Sequence, residues 1–438
     1  MAPIHLSMPH ISLPRITAAL VLLGGATLEC ASAGTAPAAP AAPAAPAAPA
    51  APAAPAAPAA PAASPGATGI LTGQLAEGST YDRIWSLPVL YKDPHNPYLQ
   101  ELAVQAQLQT QYAHGTNGDG SYGSENLSDA CRWGDTEVRR FRLGLKALLF
   151  NNLKFHSLLD LYPDLTPRVY QRIAEMYFTY APCDAFNWAT GKTELKFTRE
   201  QEVSSRDILP FERSQLVNMF YGGELSGTWI SGKGIAGGWL YELGAYSNQR
   251  VDEFTYFQGG AMILAKTGYN YTQGSGFDYA QVEFHYLHNT DPGYAADPGD
   301  LASPLFSKCF ALANDLTKGR ASLATECFWG DGRGRPNVGG VTAMPSYFLM
   351  EKLQLVTTFQ VAASSGDNGI SLPTRYELQV PGGKTMNGDA YFAGYAGLNY
   401  YFYGHKLKVM SGVKYSHLTG GLNDFNGWTW LAGFRTMF

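Results

Sequence analysis

The residues best suited to chemistry are basic, and they alternate with apolar ones. In Arg139-Arg140-Phe141-Arg142-Leu143-Gly144-Leu145-Lys146, the cations Arg140, Arg142 and Lys146 recur at even positions. Side chains two residues apart share one face of an extended backbone, so these three point the same way. Near the C-terminus Lys406, Lys408 and Lys414 oppose Leu407, Val409 and Val413, and Arg435 opposes Trp428, Trp430 and Phe434. Rows of guanidinium and ammonium groups between low-dielectric walls attract anions. Binding weak enough to allow release turns such rows into a conduction path. Asp160, Glu175 and Glu194 fall on the same faces, so the lining is mixed in charge. Bond-making chemistry has no foothold. The chain lacks G-x-S-x-G, H-E-x-x-H and C-x-x-C, and its nine histidines are scattered. His156 reads as a wall residue. No enzyme activity, metal or cofactor is expected.

The elements that must hold these rows are strands. Hydrophobic residues make up 45%, aromatics 13% and charged residues only 15%, with 48 Gly. A soluble chain of this size carries about a quarter charged residues. Beyond the N-terminus no run approaches ~18 apolar residues, so a membrane-spanning form must close its backbone hydrogen bonds as a barrel. Leu102, Val104, Ala106 and Leu108 alternate with Gln105, Gln107, Gln109 and Gln111, and similar runs recur to the C-terminus. Short turns at 151–152, 350–352 and 403–405 interleave with long connections at 114–135, 291–304 and 365–388. The pattern predicts an all-β fold, a transmembrane antiparallel β-barrel of about sixteen strands. The segment 254–272 is read as one long strand. An even count returns the C-terminus to the side of the N-terminus, and the chain stops on Phe438 at the end of an aromatic alternating run. Such a terminus resembles the signal read by the barrel-assembly machinery.

Upstream, Arg15, the apolar run Ile16 to Leu28 and Ala31-Ser32-Ala33 form a secretory signal peptide over 1–33, with cleavage expected after Ala33. Residues 34–78 are an Ala/Pro-rich linker, extended and solvated because proline at every third place blocks helix and sheet. The barrel then occupies 79–438. Of the cysteines beyond the signal, Cys131 and Cys183 belong to opposite ends of the strands, and Cys309 and Cys327 to opposite faces of the sheet. No disulfide is expected in the barrel.

With Arg139 to Gly144, the strand Gly191 to Phe197, Ser204-Ser205-Arg206-Asp207, Glu212-Arg213-Ser214 and the closing run Gly397 to Phe402, the chain resembles the phosphate-selective porin O and P family from about Tyr98 to Phe438. The resemblance implies a sixteen-stranded, trimeric anion channel in a Gram-negative outer membrane. Its third loop, near 199–213, would fold into the lumen as a constriction. The matching anion-binding positions are Arg139, Arg140, Lys196, Ser204, Ser205 and Arg213, with Arg142, Lys146 and Arg206 beside them. Glu200 and Glu202 lie in the same loop, where they would offset its positive potential. Passive diffusion of small hydrophilic solutes, anions such as phosphate among them, is the leading reading. A general unselective porin, or a barrel whose Ala/Pro arm ties the outer membrane to the cell wall, are the alternatives. Lipid, small anions and two further copies of the chain are the expected partners, and nucleic acid is not.

Overall fold

The computed structural model describes residues 70–72, 78–117, 132–162, 168–255, 257, 260–291, 306–373, 375–377, 387–421 and 424–438. The expected signal peptide, the Ala/Pro tract, Cys131 and parts of the long connections lie outside these residues.

Sixteen strands form the barrel. They are β1 (Leu99–Asn117), β2 (Arg132–Leu149), β3 (Leu153–Leu161), β4 (Tyr170–Cys183), β5 (Phe186–Glu194), β6 (Glu224–Ile235), β7 (Trp239–Ser247) and β8 (Ala261–Asn270). After them come β9 (Tyr279–Asn289), β10 (Lys308–Lys318), β11 (Ala321–Asp331), β12 (Val338–Met350), β13 (Leu353–Ser364), β14 (Ala390–Tyr403), β15 (Leu407–Thr419) and β16 (Phe425–Met437). Each pairs antiparallel with its successor, and β16 returns to β1, where Leu431 faces Ala113. Closure leaves no free edge, which is what lipid demands of a sheet. Among the described residues no helix is long and apolar enough to cross a membrane.

Period-two patterning puts each side chain on its face. Leu143, Leu145, Phe284, Leu312, Phe359, Trp428 and Trp430 are exposed on the outside, where lipid meets them. Gln105, Gln107, Gln109 and Gln111 are buried inside. Tight turns gather at the end where β1 starts and β16 stops, the periplasmic end in the outer-membrane arrangement. The three-residue β2–β3 turn, closed by Leu149 and Leu153, places Phe150 and Asn151 at φ 50° and 66°.

A brace lies below the seam where the barrel closes. Helix α1 (Thr80–Ser86) is capped by Ser79, whose hydroxyl accepts from the Asp82 amide. The Trp85 indole donates to the Met437 carbonyl at 2.5 Å, and the Tyr81 ring stacks on Tyr403 with centroids 5.4 Å apart. The chain then runs as a short strand, Val89–Lys92, that pairs with β1 from Glu101 to Ala103, below the last β16 pairing at Gln107.

Three expectations change. The expected strand 254–272 is shorter: β8 runs only from Ala261 to Asn270, and the described residues before it, from 254 on, are not strand. Instead the Asp252 carbonyl accepts from the Ile173 amide, and the Val251 and Asp252 carbonyls take the Lys192 ammonium at 2.6 and 2.9 Å. Buried Lys192 needs acceptors, and this segment supplies them. Cys183 is disulfide-bonded, with its partner outside the described residues, so the expectation of no disulfide in the barrel is overturned. That expectation set Cys131 and Cys183 at opposite ends of the strands and Cys309 and Cys327 on opposite faces. Cys309 and Cys327 are free, the first buried inside and the second exposed outside, as their opposite faces require. Lys406 does not line the lumen. It is exposed in the β14–β15 turn, with its ammonium 5.1 Å from the centre of the Tyr403 ring, because β15 begins only at Leu407.

Candidate functional site

The long connection from β5 to β6 is the third loop of the barrel, and it folds inward. It carries helix α2 (Arg199–Glu202), capped by Thr198, and helix α3 (Gln215–Met219), capped by Ser214. Every part of its path is held by the wall. The Arg199 amide donates to Glu326 at 2.8 Å, and the Arg199 guanidinium to Asp315 at 2.6 Å. Ser205 takes hydrogen bonds from Gln107 and Gln109 on β1. Lys408, Asn399 and Arg435 donate to the carbonyls of Ile208, Leu209 and Phe211, the first two at 2.9 and 2.8 Å. The Gln215 amide reaches Gln360 on β13 at 2.8 Å. Beneath α3, Leu216, Val217 and Phe220 pack into a cluster with inward-facing Phe306 and Phe328. The wall is thinned to admit the loop. A Cβ at Gly330 would stand 2.7 Å from the Phe220 ring, and one at Gly433 would stand 2.9 Å from Phe211.

A second inward segment sits on the first. Residues 370–373 and 375–377 follow β13, and Ile370, Leu372, Tyr376 and Glu377 are buried. The Ser371 carbonyl accepts from Gln215 at 2.8 Å, Tyr376 donates to Glu212 at 3.2 Å, and Glu377 takes the Lys414 ammonium at 2.6 Å.

Between these two segments and the wall of β2 to β6 lies a cavity of about 560 Å³. Eight cationic side chains line it: Arg139, Arg140, Arg142, Arg172, Arg213, Arg250, Arg375 and Lys414. They face five carboxylates, Asp160, Glu194, Glu212, Glu224 and Glu377. Strict alternation would send Arg139 to lipid. The β1–β2 register instead steps from Gln109↔Arg140 to Thr110↔Val138, leaving Arg139 as the extra residue of a β-bulge. Both adjacent arginines therefore face inward. Arg139 forms a two-point pair with Glu212 at 2.8 and 3.2 Å. Arg142 meets Asp160 at 2.5 Å, and Arg172 bridges Asp160 and Glu224 at 2.8 and 3.0 Å. Arg213 pairs with Glu194 at 3.1 Å, and Arg250 with Glu224 at 3.0 Å. Arg140 differs: it donates to the Gln109 side-chain oxygen at 2.9 Å, and no carboxylate among the described residues pairs with it.

A model of the family described as "Phosphate-selective porin O and P" matches residues 119–297. Over those residues the chain is similar to that family, and its sixteen-stranded barrel is that of an outer-membrane porin. Solved structures share its barrel. OprB of Pseudomonas putida superposes with a TM-score of 0.53 at 11% identity, covering 76% of this chain and 94% of that one. The anion-selective porin of Comamonas acidovorans gives 0.50 at 11% identity, covering 77% and 99%. OmpT of Vibrio cholerae gives 0.50 at 11%, covering 77% and 97%. No curated protein matches the sequence.

In the porin, the residues expected to form one anion cluster divide into three groups. Arg139, Arg140, Arg142, Ser205 and Arg213 line the cavity together. Lys196 lies beyond the end of β5, in a separate hollow with Glu202, Glu242, Lys266 and Glu283. Ser204 accepts from the Arg206 guanidinium at 3.0 Å within its own turn, and Lys146 pairs with Glu101 at 2.9 Å toward the short-turn end. Lys408 and Arg435 are inside but covered, because their donors hold the carbonyls of the third loop, while Lys414 holds Glu377. Glu200 and Glu202 do not line the cavity. Glu200 accepts from the Ser214 amide at the start of α3, and Glu202 pairs with Lys266 at 2.6 Å on the far side of the loop. Arg172, Arg250 and Arg375 were not expected in the site. Arg172 shares parity with lipid-facing Phe178 and Tyr180, and turns inward because the β3–β4 register skips Ala174, whereas Arg250 and Arg375 lie on connections whose inward fold has no local signature.

Proposed function

We propose that the porin is an anion-selective diffusion channel, with phosphate among its solutes. The observation that carries this reading is the excess of cationic over anionic side chains around the cavity, in a chain whose net charge is −5. Most of those cations are neutralised by fixed carboxylates, so the cavity does not trap an anion at full Coulomb strength. Arg140 supplies the uncompensated charge, and the Ser205 hydroxyl lies on the same cavity. A transiting oxyanion exchanges water for charge-assisted hydrogen bonds there and leaves again. The family resemblance supports assembly as a homotrimer and recognition of the Phe438 terminus by the barrel-assembly machinery.

Reversal potentials of the purified porin in planar bilayers under a potassium chloride gradient test the reading. A potential of the sign set by chloride, with conductance reduced by added phosphate, is expected. A cation-set or zero potential overturns it.

A further inference from the structure

On the lipid face, two rows of side chains run side by side across β10 to β13 at the short-turn end. One row pairs Leu316 with Leu323 and Leu323 with Pro345. The next pairs Lys318 with Ala321, Ala321 with Tyr347 and Tyr347 with Leu355. Small Ala321 and Pro345 fall between larger neighbours, so the wall is dented. The dent is an apolar hollow of about 450 Å³ walled by Phe277, Leu316, Leu323, Tyr347 and Leu355. Pro345 has no N–H to give, and the β12–β13 ladder passes from Ala343↔Phe359 to Ser346↔Val356 without it. Two cations stand at the rim. Lys318 ends β10 with its ammonium 5.9 Å from the centre of the Phe277 ring, and Arg320 lies in the turn that follows. Both are exposed, and neither forms an ion pair among the described residues. Asp278, the nearby acid, is engaged by the Gly319 amide at 2.6 Å.

We propose that this hollow seats an acyl chain of an anionic phospholipid from the periplasmic leaflet, with its phosphate held between Lys318 and Arg320. A void on a lipid-facing wall forfeits dispersion contacts unless a flexible apolar chain fills it. The hollow lies at the short-turn end, so its rim meets headgroups of that leaflet. The charge at the rim selects an anionic head over a zwitterionic one. A second copy of the chain would have to bring both an apolar knob and an acidic patch to the same spot.

The test uses the full-length porin in detergent, offered phosphatidylglycerol or phosphatidylcholine with identical acyl chains and analysed by native mass spectrometry. The expected result is one phosphatidylglycerol retained per chain, preferred about fivefold or more. Lys318→Glu with Arg320→Glu should abolish the preference, and Leu323→Trp should expel the lipid, with reversal potentials unchanged in both. Equal retention of the two lipids by the unaltered porin overturns the headgroup assignment. Retention untouched by Leu323→Trp overturns the site. Dissociation of an oligomer by Leu323→Trp without a change in bound lipid gives the hollow to a second copy, and also overturns it.

Discussion

Arg139 and Arg140 are neighbours with opposite duties, and the difference comes from one inserted residue. The bulge turns both inward, but only Arg139 finds a carboxylate, Glu212. Arg140→Gln should therefore weaken anion preference about fivefold, on the order of 1 kcal/mol of ion discrimination, and leave folding intact. Permeability ratios from reversal potentials and unfolding temperature measured on the same preparation check both halves. Arg139→Gln should do the reverse. It leaves Glu212 without its two-point partner and costs about 2 kcal/mol of stability, with a smaller change in selectivity. Equal effects of the two substitutions on selectivity would remove the special place given to Arg140.

Strands were legible in the sequence because one face meets lipid and the other water, and the pleat imposes a period of two on both. That logic located β1 to β16 within a few residues almost throughout. It failed where alternation continued by chance past the strand, at 254–260, and where a bulge broke the period, at Arg139. The inward fold of the third loop came from the family resemblance alone, and residues 370–373 and 375–377 were not legible as packed elements, because distant wall donors and backbone carbonyls hold both in place. Lys408 and Arg435, expected as pore lining, act as such donors. Replacing both with Met should free the Ile208 to Phe211 stretch, raise single-channel conductance and make it noisier. Unchanged conductance would show the hydrophobic cluster under α3 to be sufficient. Helix α1 has its own control. Asp82 accepts from Ser79 and from the Tyr403 hydroxyl, the latter at 2.5 Å, and these bonds lower its pKa from 3.8 to about 2. A lowered carboxyl stabilises docking fully above its unfolded value and loses that contribution as pH falls through the folded one. Trp85 fluorescence should therefore report α1 docked at neutral pH and released as pH approaches 2. In Asp82→Asn the docking is already weakened at neutral pH.

Across the whole molecule the sign of the net charge misleads. The chain is acidic by five charges, yet the cavity beside the third loop is lined by three more cations than carboxylates. The remaining acids lie elsewhere, many of them in pairs such as Glu202–Lys266 on the opposite side of the loop. A field of this kind acts at a distance on an approaching ion, so salt should screen it in a predictable way. The Debye length is about 30 Å at 0.01 M and about 3 Å at 1 M. At low salt both the lumen cations and the outlying acids are felt at the mouth, and the two partly cancel. At intermediate salt the outlying acids are screened first, because the buried, low-dielectric cavity is screened least. Anion preference, followed by reversal potential at a fixed tenfold gradient, should therefore rise from about 0.01 M to about 0.1 M and fall again toward 1 M. A monotonic decline from the lowest salt would mean that the outlying acids do not reach the mouth. A preference flat across the series would mean that the cavity arginines lie off the conducting path.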